Sequence, residues 1–303
     1  MMRGVRTWSV AMRAPTAEQL AEAKRAVPVG EIVVRTEPFS SVLARRRILR
    51  LPLVRGVVAV GESLGMGLRA LNIAVNVQVG EADKEELPRS AWAGAVTFSL
   101  VFAIGLFFVL PVGLVSLFKG SLHSATLFWL VEGVLRTAIF LAYLVLLSRL
   151  RELRRVFEYH GAEHKAIACY EAGAPLEPSD AARFSRLHPR CGTSFLLIVM
   201  IVAIFVFAPL GLPAWYWLIV TRILGVPVIA GISYEIIRFA ARHRDRRWVT
   251  LVIAPGLALQ RLTTREPDHA QLAVALAALR AVLDIEAGED LAASDIVGLE
   301  VVA

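Results

Sequence analysis

Two cysteines and six histidines are all that this chain of 303 residues holds. Cys169 and Cys191 are too few to make a disulfide framework. The opening "MMRGVRTWSVAMRAP" has basic residues but no apolar run behind them, so internal segments are expected to direct membrane insertion. There is no repeat, no low-complexity tract and no glycine-rich phosphate-binding loop. The formal net charge of +7 invites a nucleic-acid reading. The basic residues, however, form neither an aromatic-interleaved patch nor a helix-turn-helix, and nucleic acid is not an expected partner.

Apolar residues are in excess. The chain is 56% hydrophobic with a mean hydropathy of +0.60, against about 45–50% apolar in a soluble domain. Apolar runs at 91–118 (uncharged throughout), 125–147 and 194–212, and a less uniform one at 213–240, are each long enough to cross the roughly 30 Å hydrocarbon core. Pro111 predicts a kink in the first of them. Basic residues crowd one side. Arg149, Arg151, Arg154, Arg155, Lys165, Arg183, Arg186 and Arg190 fall between the second and third runs, and Arg238, Arg242, Arg244, Arg246 and Arg247 close the fourth. The opposite turns hold only Lys119. This bias predicts a multi-pass protein of the plasma membrane with both termini and the 149–193 segment in the cytoplasm, where both thiols stay reduced.

The expected fold class is mainly α, a polytopic helical membrane protein with about four transmembrane helices. Residues 1–50 read as a small N-terminal α/β cytosolic segment. "TWSVAMR" and "GEIVVRT" alternate like strands, with a helix expected in "TAEQLAEAKRAV" between them. In 51–79, Arg55, Glu62 and Arg69 recur every seven residues and share one helix face. That suits an amphipathic interfacial helix, with Arg45, Arg46, Arg47 and Arg50 near anionic headgroups, or a helix packed on other protein. Residues 91–240 form the membrane domain and include the 149–193 cytosolic loop. Residues 241–303 are a cytosolic tail in which Pro255-Gly256 breaks one apolar stretch. Asp268 is expected to cap an amphipathic helix whose apolar face needs a partner.

The chemistry concentrates in the 149–193 loop. In "FEYHGAEHKAIACYEAG", His160 and His164 stand one helical turn apart, and Glu163 completes the order H-x-x-E-H. Two imidazoles so placed can grip one divalent ion, and the glutamate can serve as general base. "LHPRCGTSF" adds His188 and Cys191 two residues apart. Gly173, Pro175 and Pro178 lie between the clusters and permit the chain to fold back. The sulfur donor favours zinc. Four ligands would close a structural site, whereas three would leave a catalytic position open. Glu158 and Glu171 are further oxygen donors, read as solvated. Glu132 and Arg136, with Arg222 and Glu235, place charges in the apolar runs. They read as ion pairs holding helices in register, or as a polar pathway with Tyr234.

"MMRG", "RGVVAVGESLGMGLRAL", "FEYHGAEHKAIACYEAG", "HPRCGTSFLL", "GISYEIIRFA" and "APGLALQRLTTREP" occur in this order, and together they resemble the YqhQ family of bacterial membrane proteins. The resemblance covers nearly the whole chain. It implies a multi-pass membrane protein described as a predicted metal-dependent enzyme, with these His, Glu and Cys positions as its metal site. It implies no substrate. Relatives carry a glycine-rich stretch ahead of "MMRG", and "TAEQLAEAKRAVPV" stands where they have a short turn. Two functions are therefore expected. One is a metal-dependent hydrolase at the cytoplasmic membrane face, with His160, His164 and His188 or Cys191 as ligands and Glu163 as base. The other is a non-catalytic scaffold or biogenesis factor with a structural metal, whose partners are membrane lipids and other membrane proteins.

Overall fold

A computed structural model describes residues 1–16, 18–19, 29–79, 89–118, 120, 122, 124–189, 191–208, 215–243 and 247–287. The helix expected in "TAEQLAEAKRAV", the turns at Lys119 and Leu212, Arg190, Arg244, Arg246 and the end of the tail lie outside these residues, as does the side chain of Arg222.

Three short strands open the chain: β1 (Met2–Arg3), β2 (Thr7–Arg13) and β3 (Ile32–Pro38). They form an antiparallel sheet in the order β1-β2-β3, with Thr7 opposite Pro38 and Arg13 opposite Ile32. The two-residue period of β2 sends its side chains to two different partners. Trp8, Val10 and Met12 pack on Met66 and Ala70. On the other face, Ser9 donates its hydroxyl to the Ala278 carbonyl at 2.6 Å.

Helices make up most of the rest. A short α1 (Val42–Arg45) and a 3-10 turn (Arg47–Arg50) lead into α2 (Val54–Val79). Then come α3 (Arg89–Ile104), a π turn (Gly105–Val109) and α4 (Leu110–Ser116). Pro111 lacks the N–H that would bond the residue 107 carbonyl, and the π turn absorbs that loss, so the helix is disturbed a turn before the proline. Next are α5 (Ala125–Arg149), α6 (Arg151–Glu171), α7 (Pro178–Ala181), α8 (Gly192–Phe207) and α9 (Trp215–Arg242). The chain closes with α10 (Arg247–Thr263) and α11 (His269–Ala287).

Among the described residues, three helical segments are long and apolar enough to cross a membrane: Val54–Gln78, Ser90–Ser116 and Ala125–Arg149. Helix α8 is apolar but shorter. Phe98, Phe102, Leu117 and Phe205 are largely exposed, an apolar surface that water does not favour and lipid does. Helix α2 meets the length and composition of a span, yet one of its faces covers the sheet through Met66, Ala70, Ile73 and Val77. Its polar stripe is occupied as well. Arg55 pairs with Glu235, Glu62 accepts the Ser41 hydroxyl at 3.0 Å, and Arg69 lies 3.9 Å from Glu37.

The expected break at Pro255-Gly256 does not occur, because α10 runs through both residues. Pro255 removes one backbone donor, but the helix is held from outside. A Cβ on Gly256 would stand 2.6 Å from the Ser194 Cβ, so the two helices touch backbone to side chain at this point. Asp268 caps α11 as expected. Its carboxylate accepts the Gln271 N–H at 2.7 Å, and the Gln271 side chain accepts the Asp268 N–H at 2.9 Å, a reciprocal capping box. The apolar face of α11 finds its partner in α6. Met2, Ala166, Ile167, Leu272, Leu276 and Leu279 share one core, so the N-terminal segment, the 149–193 segment and the tail meet in a single body.

In α5, Phe128, Trp129, Glu132, Gly133, Arg136 and Phe140 form one buried stripe. Glu132 pairs with Arg136, whose guanidinium lies 5.3 Å from the centre of the Phe108 ring. Removing Glu132 leaves the buried Arg136 guanidinium without its carboxylate. Glu132→Leu is expected to destabilise the protein by about 3–5 kcal/mol, and Glu132→Leu/Arg136→Leu to recover most of that loss. Thermal melts in detergent, with fluorescence-detected chromatography, check both.

Candidate metal centre

Helix α6 supplies two of the three central side chains. Its sequence keeps small residues where other segments press against it. A Cβ on Gly161 would meet the Arg265 carbonyl oxygen at 2.1 Å, so only glycine admits the strand of backbone linking α10 to α11. Arg265 N–H in turn donates to the Phe157 carbonyl at 2.8 Å. The helix ends at Gly173, whose φ of +65° suits glycine. Gly173 N–H reaches the Tyr170 carbonyl at 2.9 Å and Ala174 N–H the Cys169 carbonyl at 3.1 Å, a Schellman cap. The chain then turns back through Pro175 and Pro178 and delivers Cys191 to the face that carries His160 and His164.

His160, His164 and Cys191 each offer a donor atom, and the three atoms lie within 4.8 Å of one another. The Cys191 Sγ is 3.3 Å from His160 Nε2. Neighbouring donors on a tetrahedral zinc ion stand about 3.3–3.6 Å apart, given its bond lengths to nitrogen and sulfur. Both imidazoles are oriented by backbone. His160 Nδ1 lies 2.8 Å from the Thr263 carbonyl, and His164 Nδ1 lies 2.6 Å from the Arg186 carbonyl. A carbonyl accepts only, so in the neutral ring each Nδ1 must carry the proton and each Nε2 presents a lone pair. His164 is fully buried, and its Nε2 has no hydrogen-bond partner among the described residues. An unpartnered buried nitrogen is costly unless it is a ligand. The donor set therefore fits a divalent ion.

His188 is not one of the three. Its ring centre is 5.9 Å from that of His164, and its Nε2 faces Glu171 Oε2 at 3.4 Å. Its backbone is clamped instead, because Gln260 accepts its N–H and donates to its carbonyl, both at 2.8 Å. Gln260, Thr263 and the carbonyl of Arg186 form an outer layer that motif reading missed. "LQRLTTREP" has no ligand-type residue ahead of its glutamate, and a main-chain carbonyl leaves no trace in composition. Arg186 donates to the Thr264 carbonyl and to its hydroxyl at 3.3 Å, tying the two carbonyl-bearing segments together. Glu158 and Glu171 are engaged rather than simply solvated: Gln271 donates to Glu158 at 2.9 Å. Glu163 lies next to His164 in sequence and receives the Met1 amino group.

Charge follows from this packing. Burial alone would push the Cys191 thiol up, but the His160 hydrogen bond and the two adjacent imidazoles outweigh it and bring it from 9.0 to about 5. Cys191 is also the N-cap residue of α8, and Thr193 N–H points at its sulfur at 3.4 Å, a further preference for the thiolate. For His160, burial lowers the value, while Cys191, Glu163 and the Thr263 carbonyl raise it above 6.5 in net. A depressed acid contributes stability above its unfolded value and loses it as pH falls through the folded one. A raised base does the reverse, with its contribution complete below 6.5 and lost as pH rises through the folded value. In metal-free protein, the thiolate–imidazolium pair thus forms upward from about pH 5. Thiolate absorbance near 240 nm should rise with a midpoint at about 5 and should vanish in Cys191→Ser. A midpoint near the ordinary thiol value would contradict the geometry.

Residues 51–285 match a family described as a protein of unknown function, DUF1385. The chain is also 31% identical over 252 residues to "Uncharacterized protein YqhQ" of Bacillus subtilis (strain 168), an alignment covering 79% of each chain. No solved structure matches it. The family match takes in the whole His160–Cys191 region and the Gln260–Arg265 segment behind it, and on these two findings the chain belongs to the DUF1385 family that includes YqhQ.

Proposed function

We propose that this protein is a zinc-type metal-dependent hydrolase working at the cytoplasmic face of the membrane. The observation that carries this reading is the number of donors. His160, His164 and Cys191 converge while His188 turns to Glu171, and three protein ligands leave a fourth position for water or substrate. A bound divalent ion would supply Lewis-acid polarisation. The chain's own residues do the rest. The Thr263 and Arg186 carbonyls hold the proton of each neutral ring on Nδ1 and so leave Nε2 to face the ion, and Cys191 contributes a thiolate whose softness selects zinc. We assign Glu163, one residue from a ligand and among the groups that raise the His160 pKa, as the base that takes a proton from an attacking water once its Met1 ion pair opens. The substrate is a peptide or a lipid-linked molecule.

The basic bias supports four spans, with 149–193, the N-terminal sheet and α11 in the cytoplasm. Under this topology α2 lies along the membrane surface, as the sheet packed on its Met66–Val77 face favours.

A second reading has its own support. His164 and Cys191 are almost wholly buried, as in a structural site that staples α6, the start of α8 and the α10–α11 link. Here the protein is a scaffold or biogenesis factor for other membrane proteins. Metal analysis of purified protein, combined with untargeted mass spectrometry of peptide and lipid fractions from membranes, separates the two. For the hydrolase, Glu163→Gln keeps one metal per chain, lowers turnover by about 10²–10⁴-fold and accumulates the same species as Cys191→Ser. If Glu163→Gln is silent while Cys191→Ser loses both metal and thermal stability, the scaffold reading stands. An external label reaching residues 150–189 would overturn both.

A further inference from the structure

The polar start of α2 forms a second site, whose lining includes none of the metal-ligand candidates. A cavity of about 360 Å³ opens there, lined by Ser41, Leu43, Arg50, Arg55, Tyr234 and Arg238. Its walls come from separate parts of the chain: α1 and the 3-10 turn, the first turn of α2, and the last third of α9. Sequence reading places Arg50 near headgroups in general. It does not bring Arg55 and Arg238, almost two hundred residues apart, to the same cavity.

The cavity is held by a strained turn. Leu53 has a φ of 69°, a left-handed conformation that is unfavourable for a leucine. It is fixed there against α9, because a Cβ on Gly231 would stand 2.8 Å from the Leu53 carbonyl oxygen. This close crossing sets Arg55 against Glu235, with Nε to Oε1 at 2.6 Å and a second contact from Nη2. Arg50 is oriented by donating its Nε to the Leu43 carbonyl at 2.8 Å.

Among the described residues, the lining has three arginines and no carboxylate. The two carboxylates just behind it are committed, Glu235 to Arg55 and Glu62 to the Ser41 hydroxyl and the Val42 N–H. Guanidinium forks surrounding a small polar cavity match phosphate oxygens. Beside them, Ile48, Leu51, Leu53 and Val54 expose apolar side chains. A soluble phosphate ester would use the arginines and leave that apolar rim in water. A lipid uses both.

We propose that this cavity binds the phosphate of an anionic phospholipid, with Arg50 and Arg238 on the headgroup and Ile48 and Leu51 against the acyl chains. The proposal rests on residence in a membrane and is independent of the metal centre. Native mass spectrometry of the full chain, released from detergent with phosphatidylglycerol or phosphatidylcholine, tests it. One phosphatidylglycerol should be retained per chain over phosphatidylcholine. Arg50→Gln/Arg238→Gln, which leaves the Arg55–Glu235 pair intact, should lower that retention about tenfold or more, as expected for loss of one to two charge-assisted contacts. Unchanged metal content and an unchanged chromatographic profile show that the variant is folded. Equal retention of both lipids, or no loss in the double variant, overturns the proposal. Displacement of the lipid by glycerol 3-phosphate at equal concentration overturns the lipid assignment in favour of a soluble ester.

Discussion

Two hydrogen bonds to main-chain carbonyls organise this molecule. The Thr263 carbonyl takes the Nδ1 proton of His160, and the Arg186 carbonyl takes that of His164. Imidazole has two nitrogens and, when neutral, one proton, so fixing that proton outward fixes the lone pair inward. Without those carbonyls the same three side chains would be two rotating rings and a thiol. With them, they are a preorganised donor set against Cys191. The surrounding fold serves to deliver two carbonyls, Arg186 and Thr263, from distant parts of the chain.

That delivery explains features that otherwise look unrelated. Gly161 lets the α10–α11 link lie against α6, and Gln260 seizes the backbone of His188 on the way to Cys191. Buried Lys165 donates to the Ala182 carbonyl and pairs with Glu266, so it spans the α6 return and the link together. Helix α11 packs on α6 from the opposite side and on β2 beyond it. Among the apolar helices that meet this body, α8 is capped by Cys191 itself.

Much of this was legible in the sequence. Apolar length marks α3 to α5, β2 and β3 show their two-residue alternation, and Asp268 announces the start of α11. His160, His164 and Cys191 were visible because their side chains are chemically rare in this chain. What stayed hidden depends on tertiary contact. Pro255 looks like a helix breaker because local rules do not include the hold of α8 on Gly256. The seven-residue stripe of α2 shows a polar face but not its partners, which are Glu235, Ser41 and Glu37. His188 has the ligand's chemistry and the ligand's spacing, and only the clamp by Gln260 and the contact with Glu171 set it apart.

The central claim is that two histidine Nε2 atoms and one cysteine sulfur share an ion. X-ray absorption at the metal edge of the purified protein tests this most directly. The account predicts a first shell with one sulfur at about 2.3 Å and two imidazole nitrogens at about 2.0–2.1 Å, and a sulfur contribution that disappears in Cys191→Ser. A shell of nitrogen and oxygen alone in the wild-type protein would contradict it.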